Sequence, residues 1–70
     1  MKIEEQIFNN EKYYLINEYN FKFGKVYKFA NVTNTIFCRE INGRFIIIND
    51  RKMLKKIQNT FTKLEIKDIV

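Results

Sequence analysis

Seventy residues carrying a net charge of +5, with one cysteine, two glycines, no proline and no histidine, describe a small, basic, aromatic-rich chain. A lone cysteine excludes an internal disulfide framework, and without histidine neither a Cys/His zinc site nor the commonest acid–base catalyst can be built. Gly24 and Gly43 stand too far apart for a P-loop, two glycines cannot make a G-x-G-x-x-G turn, and no window approaches the ~18 apolar residues of a membrane span.

What remains is one small domain. A chain of this length buries only about 60% of its unfolded surface, so its core is thin and depends on aromatic rings. The positive balance favours an anionic partner, whether nucleic acid, a ribonucleoprotein or an acidic protein face, although solubility alone also explains it. The segment Met1–Gln6 has no long apolar run and carries acids early, so it does not read as a signal peptide, and the expected location is cytoplasmic, in a bacterial or phage-infected cell. Lys, Ile, Asn, Phe and Tyr make up well over half of the chain, a bias towards A/T-rich codons.

In chain order, residues 3–8 suit a short first strand ending at Gln6-Ile7-Phe8. Asn9-Asn10-Glu11 is a turn signal, because Asn tolerates left-handed backbone geometry. Residues 12–22 are rich in Tyr, Ile, Leu and Phe and read as the second strand. Phe23-Gly24 reads as the next turn, with Gly24 taking a positive φ. A third strand covers 25–31, and Val32-Thr33-Asn34-Thr35 connects it onward.

Residues 36–41 and 44–48 flank Asn42-Gly43, the strongest short hairpin signal, since both centres of a type I′ turn need φ > 0. A two-residue loop sets the register: Ile41 faces Arg44, Glu40 faces Phe45, Arg39 faces Ile46, Cys38 faces Ile47 and Phe37 faces Ile48. One face then carries Ile36, Cys38, Glu40, Phe45 and Ile47, and the other Phe37, Arg39, Ile41, Arg44, Ile46 and Ile48. Both faces are too apolar for one helix to cover. The sheet must curl, or a second face must be kept for a partner.

Asn49-Asp50 can cap a helix. Met53, Leu54, Ile57, Phe61 and Leu64 form one helical stripe, predicting a helix over 51–62, and residues 64–70, which alternate weakly, read as a tail, with a last edge strand as the alternative. The expected fold is α+β: a small antiparallel meander of four or five twisted strands with one C-terminal amphipathic helix.

Catalysis is not expected. The carboxylates are scattered singly apart from Glu4-Glu5, and Cys38, centred in a strand without a neighbouring base, reads as a small buried hydrophobe. No metal and no cofactor are expected. The candidate binding residues are Lys25, Tyr27, Lys28, Phe29, Phe37, Arg39 and Arg44, where rings alternate with cations. Rings stack on bases and cations meet phosphates, and the same residue types anchor protein interfaces. They also suit an ordinary core with solvated lysines around it. Lys52, Lys55, Lys56 and Lys63 form a second, basic face on the helix.

Tyr14-Leu15-Ile16-Asn17, followed by Gly24-Lys25-Val26-Tyr27-Lys28-Phe29-Ala30-Asn31, resembles the first Sm motif of the bacterial Hfq family. The resemblance covers about a quarter of the chain and implies a strongly bent five-stranded barrel, a ring oligomer and RNA binding. The chain departs from that pattern in a longer gap between Asn17 and Gly24, in lacking an N-terminal helix, and in having Ile48-Asn49-Asp50-Arg51 where the second motif would stand. In size, composition and lack of catalytic groups the chain also resembles the small inhibitor proteins of phages and mobile elements, including anti-CRISPR proteins. The functional expectation is a stoichiometric binding protein acting on a nucleic-acid-handling effector. The alternative is a single-stranded RNA- or DNA-binding module. The partner is then a protein or ribonucleoprotein, nucleic acid in the alternative, with a homodimer left open and no membrane.

Overall fold

Turn chemistry sets the strand order. In the computed structural model, which describes residues 4–69 and the side chains of 4–67, the chain forms β1 (Glu5–Phe8), β2 (Glu11–Phe21), β3 (Gly24–Ala30), β4 (Thr35–Ile41), β5 (Arg44–Ile47) and α1 (Arg51–Ile69). The strands make one antiparallel sheet in the order β1-β2-β3-β4-β5. Asn9 and Asn10 both take positive φ at the first turn, and Asn42 and Gly43 do so at the last. The last hairpin has the register expected of its two-residue loop, from Ile41 opposite Arg44 to Cys38 opposite Ile47. The Ile48 amide extends that ladder by donating to the Phe37 carbonyl at 2.8 Å.

The bounds of β2 to β5 lie within one residue of those expected, and residue 3, the expected start of the first strand, lies outside the described residues. The β2–β3 turn is centred on Lys22-Phe23, and Gly24, at φ +136°, begins β3 opposite Phe21. The larger difference is the helix, which does not stop at 62: residues 63–69, of which 64 onwards read as a tail, continue α1. Leu64 prolongs the apolar stripe, nothing in 63–69 breaks a helix, and Glu65 finds a partner on the sheet, so the extra turns are held by tertiary contacts. The helix starts at Asp50, whose Oδ1 accepts the Met53 amide at 3.1 Å.

The two apolar faces of the sheet are resolved in two ways. On one, α1 lays Ile57 and Phe61 against Val26, Phe37 and Ile48, with Phe21, Met53 and Leu54 around them. Burying each of the larger side chains contributes roughly 1.5–3 kcal/mol. The opposite face is covered by the sheet itself. Tyr13, Phe29 and Cys38 are buried there among Phe8, Leu15, Tyr27, Ile36, Phe45 and Ile47, all of them strand residues. The rings show how. Phe29 on β3 lies 5.6 Å from Phe8 on β1 and 5.0 Å from Phe45 on β5, although strands two apart in a flat sheet are separated by roughly 9–10 Å. The sheet therefore curls around Phe29, and the second apolar face is consumed inside the molecule.

A register shift in β2 makes this arrangement work. Leu15 pairs with Phe29 and Asn17 with Lys28, which leaves Ile16 as an extra residue. The bulge moves every later odd-numbered residue of β2 to the other face. Tyr13 and Leu15 point into the curl, whereas Tyr19 pairs with Val26 on the helix side, followed there by Phe21.

Candidate functional site

The curl and the helix redistribute the residues that the sequence singles out. Phe29 and Phe37 are core residues, one on each side of the sheet, with 0% and 5% of their surface exposed. Neither offers a ring face to a base. Tyr27 is half-buried against Phe45, at 4.9 Å edge to face, and its hydroxyl lies 3.4 Å from Glu40. Burial, and then the Glu40 carboxylate, push the Tyr27 hydroxyl above its ordinary pKa, so it stays neutral. Lys25 pairs with Glu18 at 3.2 Å, and that carboxylate raises its pKa. Lys28 is turned onto the helix side, where Glu65 takes its charge at 2.6 Å. The aromatic-basic run of β3 is thus dispersed, with its rings packed and its lysines neutralised.

Arg39, Arg44, Lys52, Lys55, Lys56 and Lys63 have no carboxylate within ion-pair distance among the described residues. Arg39, Arg44, Lys52 and Lys56 converge on one surface, at the N-terminal half of α1. Lys55 points away from the sheet on the exposed side of the helix, and Lys63 lies on its flank farther along.

The surface is built as follows. Cross-strand pairing aligns Tyr19, Val26, Arg39 and Ile46 in one row, on the face that carries α1. In the next row Ile41 pairs with Arg44. The helix covers Val26 and leaves the rest open, so that Tyr19, Ile41 and Ile46 are 40%, 47% and 48% exposed. At the β2–β3 turn, Phe23 stacks on Phe21 with centroids 5.2 Å apart, and Phe21 meets Tyr19 edge to face at 5.0 Å. The Arg39 guanidinium carbon lies 5.8 Å from the Phe23 ring centroid, a cation–π contact that holds both over the open sheet.

Two clefts border this surface and meet at Asp50 and Met53. One, of about 180 Å³, has Arg39, Ile41, Ile46 and Ile48 in its wall, and the other, of about 380 Å³, lies between Phe23 and the lysines Lys52 and Lys56. A larger depression of about 660 Å³ follows the flank of α1 at Thr60, Lys63, Leu64, Ile66 and Lys67. Among the described residues no ring and no sheet residue lines it, so the site is placed where rings, aliphatics and cations meet.

Cys38 has no exposed surface, and burial pushes its thiol up to about 11, which keeps it protonated and unreactive at neutral pH. Among the described residues no cluster of Cys, Asp and Glu could hold a metal ion, and no helix is long and apolar enough to cross a membrane. Sequence reading missed Phe23, Tyr19, Ile41 and Ile46. A signal was there: Tyr19, Phe21 and Phe23 alternate and so share a face. Without the bulge that face would have been the interior of the curl.

No protein-family model, no curated protein and no solved structure matches this chain.

Proposed function

We propose that this chain is a binding protein without catalysis of its own. It docks through the surface formed by Phe23, Arg39, Ile41, Ile46 and Met53, rimmed by Arg44, Lys52 and Lys56, onto an acidic and partly apolar face of a protein partner. The observation that carries the reading is the contact between Arg39 and Phe23 over an uncovered sheet face. Aromatic residues and Arg over aliphatic surface, with charge at the rim, form the composition of interface hot spots. The cations there lack carboxylate partners among the described residues, so an acidic partner gains their charge without first breaking an ion pair.

The partner class we favour is a nucleic-acid-handling effector, and the mode of action is stoichiometric occlusion, as in the small inhibitors of phages and mobile elements that the chain resembles. The second reading, single-stranded RNA or DNA, draws on Phe23 beside Lys52 and Lys56. It is the weaker of the two, because Phe29 and Phe37 are enclosed and Phe23 is already engaged by Phe21 and Arg39.

One titration tests both. The protein is mixed with purified bacterial nuclease effectors and, separately, with single-stranded oligonucleotides at low salt. A stoichiometric protein complex that Arg39→Glu abolishes, together with no oligonucleotide shift, is the expected result. A salt-sensitive oligonucleotide complex lost with Lys52→Glu and Lys56→Glu, and no effector complex, would replace the first reading with the second.

A further inference from the structure

The outer edge of β5 carries a self-complementary pattern. The Ile48 amide bonds the Phe37 carbonyl, so Phe37 and Ile48 form a hydrogen-bonded pair of the antiparallel ladder. Bonded and non-bonded pairs alternate, so Arg39–Ile46 and Ile41–Arg44 are bonded pairs as well. Phe45 and Ile47 therefore point their amides and carbonyls away from β4, and β5 has no other strand beside it. Apart from its length of four residues, nothing protects this edge in the usual ways. It has no proline, no bulge and no central charge, and it reads Arg-Phe-Ile-Ile. Edge β1 differs, since its open side carries Glu5.

We propose that β5 is a homodimer interface, formed when two copies pair their β5 strands antiparallel about a two-fold axis at Ile46. The occupant is a second copy of this chain, and three observations single it out. First, Phe45 of one copy falls opposite Ile47 of the other and the reverse, so both open residues of each strand are satisfied in one register. Second, Ile46 meets its own counterpart as a non-bonded pair, the closer kind, covering a side chain that is 48% exposed in the single chain. Third, Arg44 of one copy faces Ile48 of the other, so the cation at the end of each strand does not meet its own counterpart across the axis. Pairing at the edge extends the sheet and covers Ile46 at the border of the docking surface, so the remaining residues of the two docking surfaces come to lie side by side. The inference does not rest on the docking reading.

Sedimentation equilibrium of the full chain, with no partner present, tests it. The expected result is a monomer–dimer equilibrium that Ile46→Lys weakens by about tenfold or more, because two ammonium groups then meet on the axis. Ile46 is half exposed, so the melting curve of the monomer should stay in place. The amides of Phe45 and Ile47 should exchange more slowly as concentration rises, while those already bonded within the chain should not change. A chain that stays monomeric to about 1 mM, a dimer indifferent to Ile46→Lys, or a mass above two subunits from β5 pairing with β1 would each overturn the proposal, leaving the docking reading untouched.

Discussion

Lys28 on β3 and Glu65 on the last turns of α1 form a part-buried ion pair, with the ammonium 2.6 Å from Oε2 and 2.9 Å from Oε1. It is the tie that fastens the helix beyond residue 62 to the sheet. Removing Glu65 leaves a lysine with only 16% of its side chain exposed and no counter-charge. Glu65→Ala should therefore cost about 1–3 kcal/mol and loosen the helix after Lys63. Chemical denaturation reads the first effect and amide exchange across 63–67 the second. Lys28→Met, which keeps the stem and removes the charge, should cost less than Glu65→Ala.

Cys38 links stability to alkaline pH. Its folded pKa of about 11 lies above the ~8.5 of an unfolded thiol. The unfolded chain thus loses the proton first, and stability is fully present below about pH 8.5 and falls as pH rises towards 11. The loss from this group should be on the order of 2–3 kcal/mol, and Cys38→Ala should remove its share of the slope. At pH 8 the native thiol should react with a disulfide reagent only as fast as the protein opens.

Core and surface rings should separate sharply on truncation. Phe37→Ala and Phe29→Ala each empty a site enclosed on all sides and should cost about 3–5 kcal/mol, a large part of the stability of a domain this small. Phe23→Ala, at a ring 40% exposed, should cost less than about 1 kcal/mol and still abolish partner binding. Phe37→Ala is consequently unsuitable as a test of nucleic-acid binding, since loss of signal would follow from unfolding alone.

The last hairpin isolates a backbone effect. A Cβ added at Gly43 would meet nothing within 4 Å, yet φ there is +79°. Gly43→Ala should cost about 1–2 kcal/mol, all of it conformational. Gly43→Asn should recover part of that, as Asn10 already occupies φ +64° in the first turn. Thermal melts of the two variants decide it.

The elements were legible in the sequence because each is set by near neighbours. Asn42-Gly43 specified a turn and with it the pairing of Ile41 with Arg44 and Cys38 with Ile47, and the spacing of Met53, Ile57 and Phe61 specified a helix on one side of the sheet. The excess of apolar residues on both faces of that hairpin already required either a curl or a partner. Which of the two holds depends on Phe29, and its contacts with Phe8 and Phe45 join strands distant in the chain. The site was legible only in part. Arg39 and Arg44 were found with their face, but the fate of Lys25, Lys28, Phe29 and Phe37 was not.

Local propensity alone determined a basic, β-rich domain with a closing helix. The tertiary structure decided which rings remain outside. The unpaired Ile16 switches the faces of β2, and the Lys28–Glu65 tie prolongs α1. Both depend on contacts with residues far off in the chain, to which alternation and propensity are blind, because a one-residue shift of register exchanges inside for outside without altering a strand's composition.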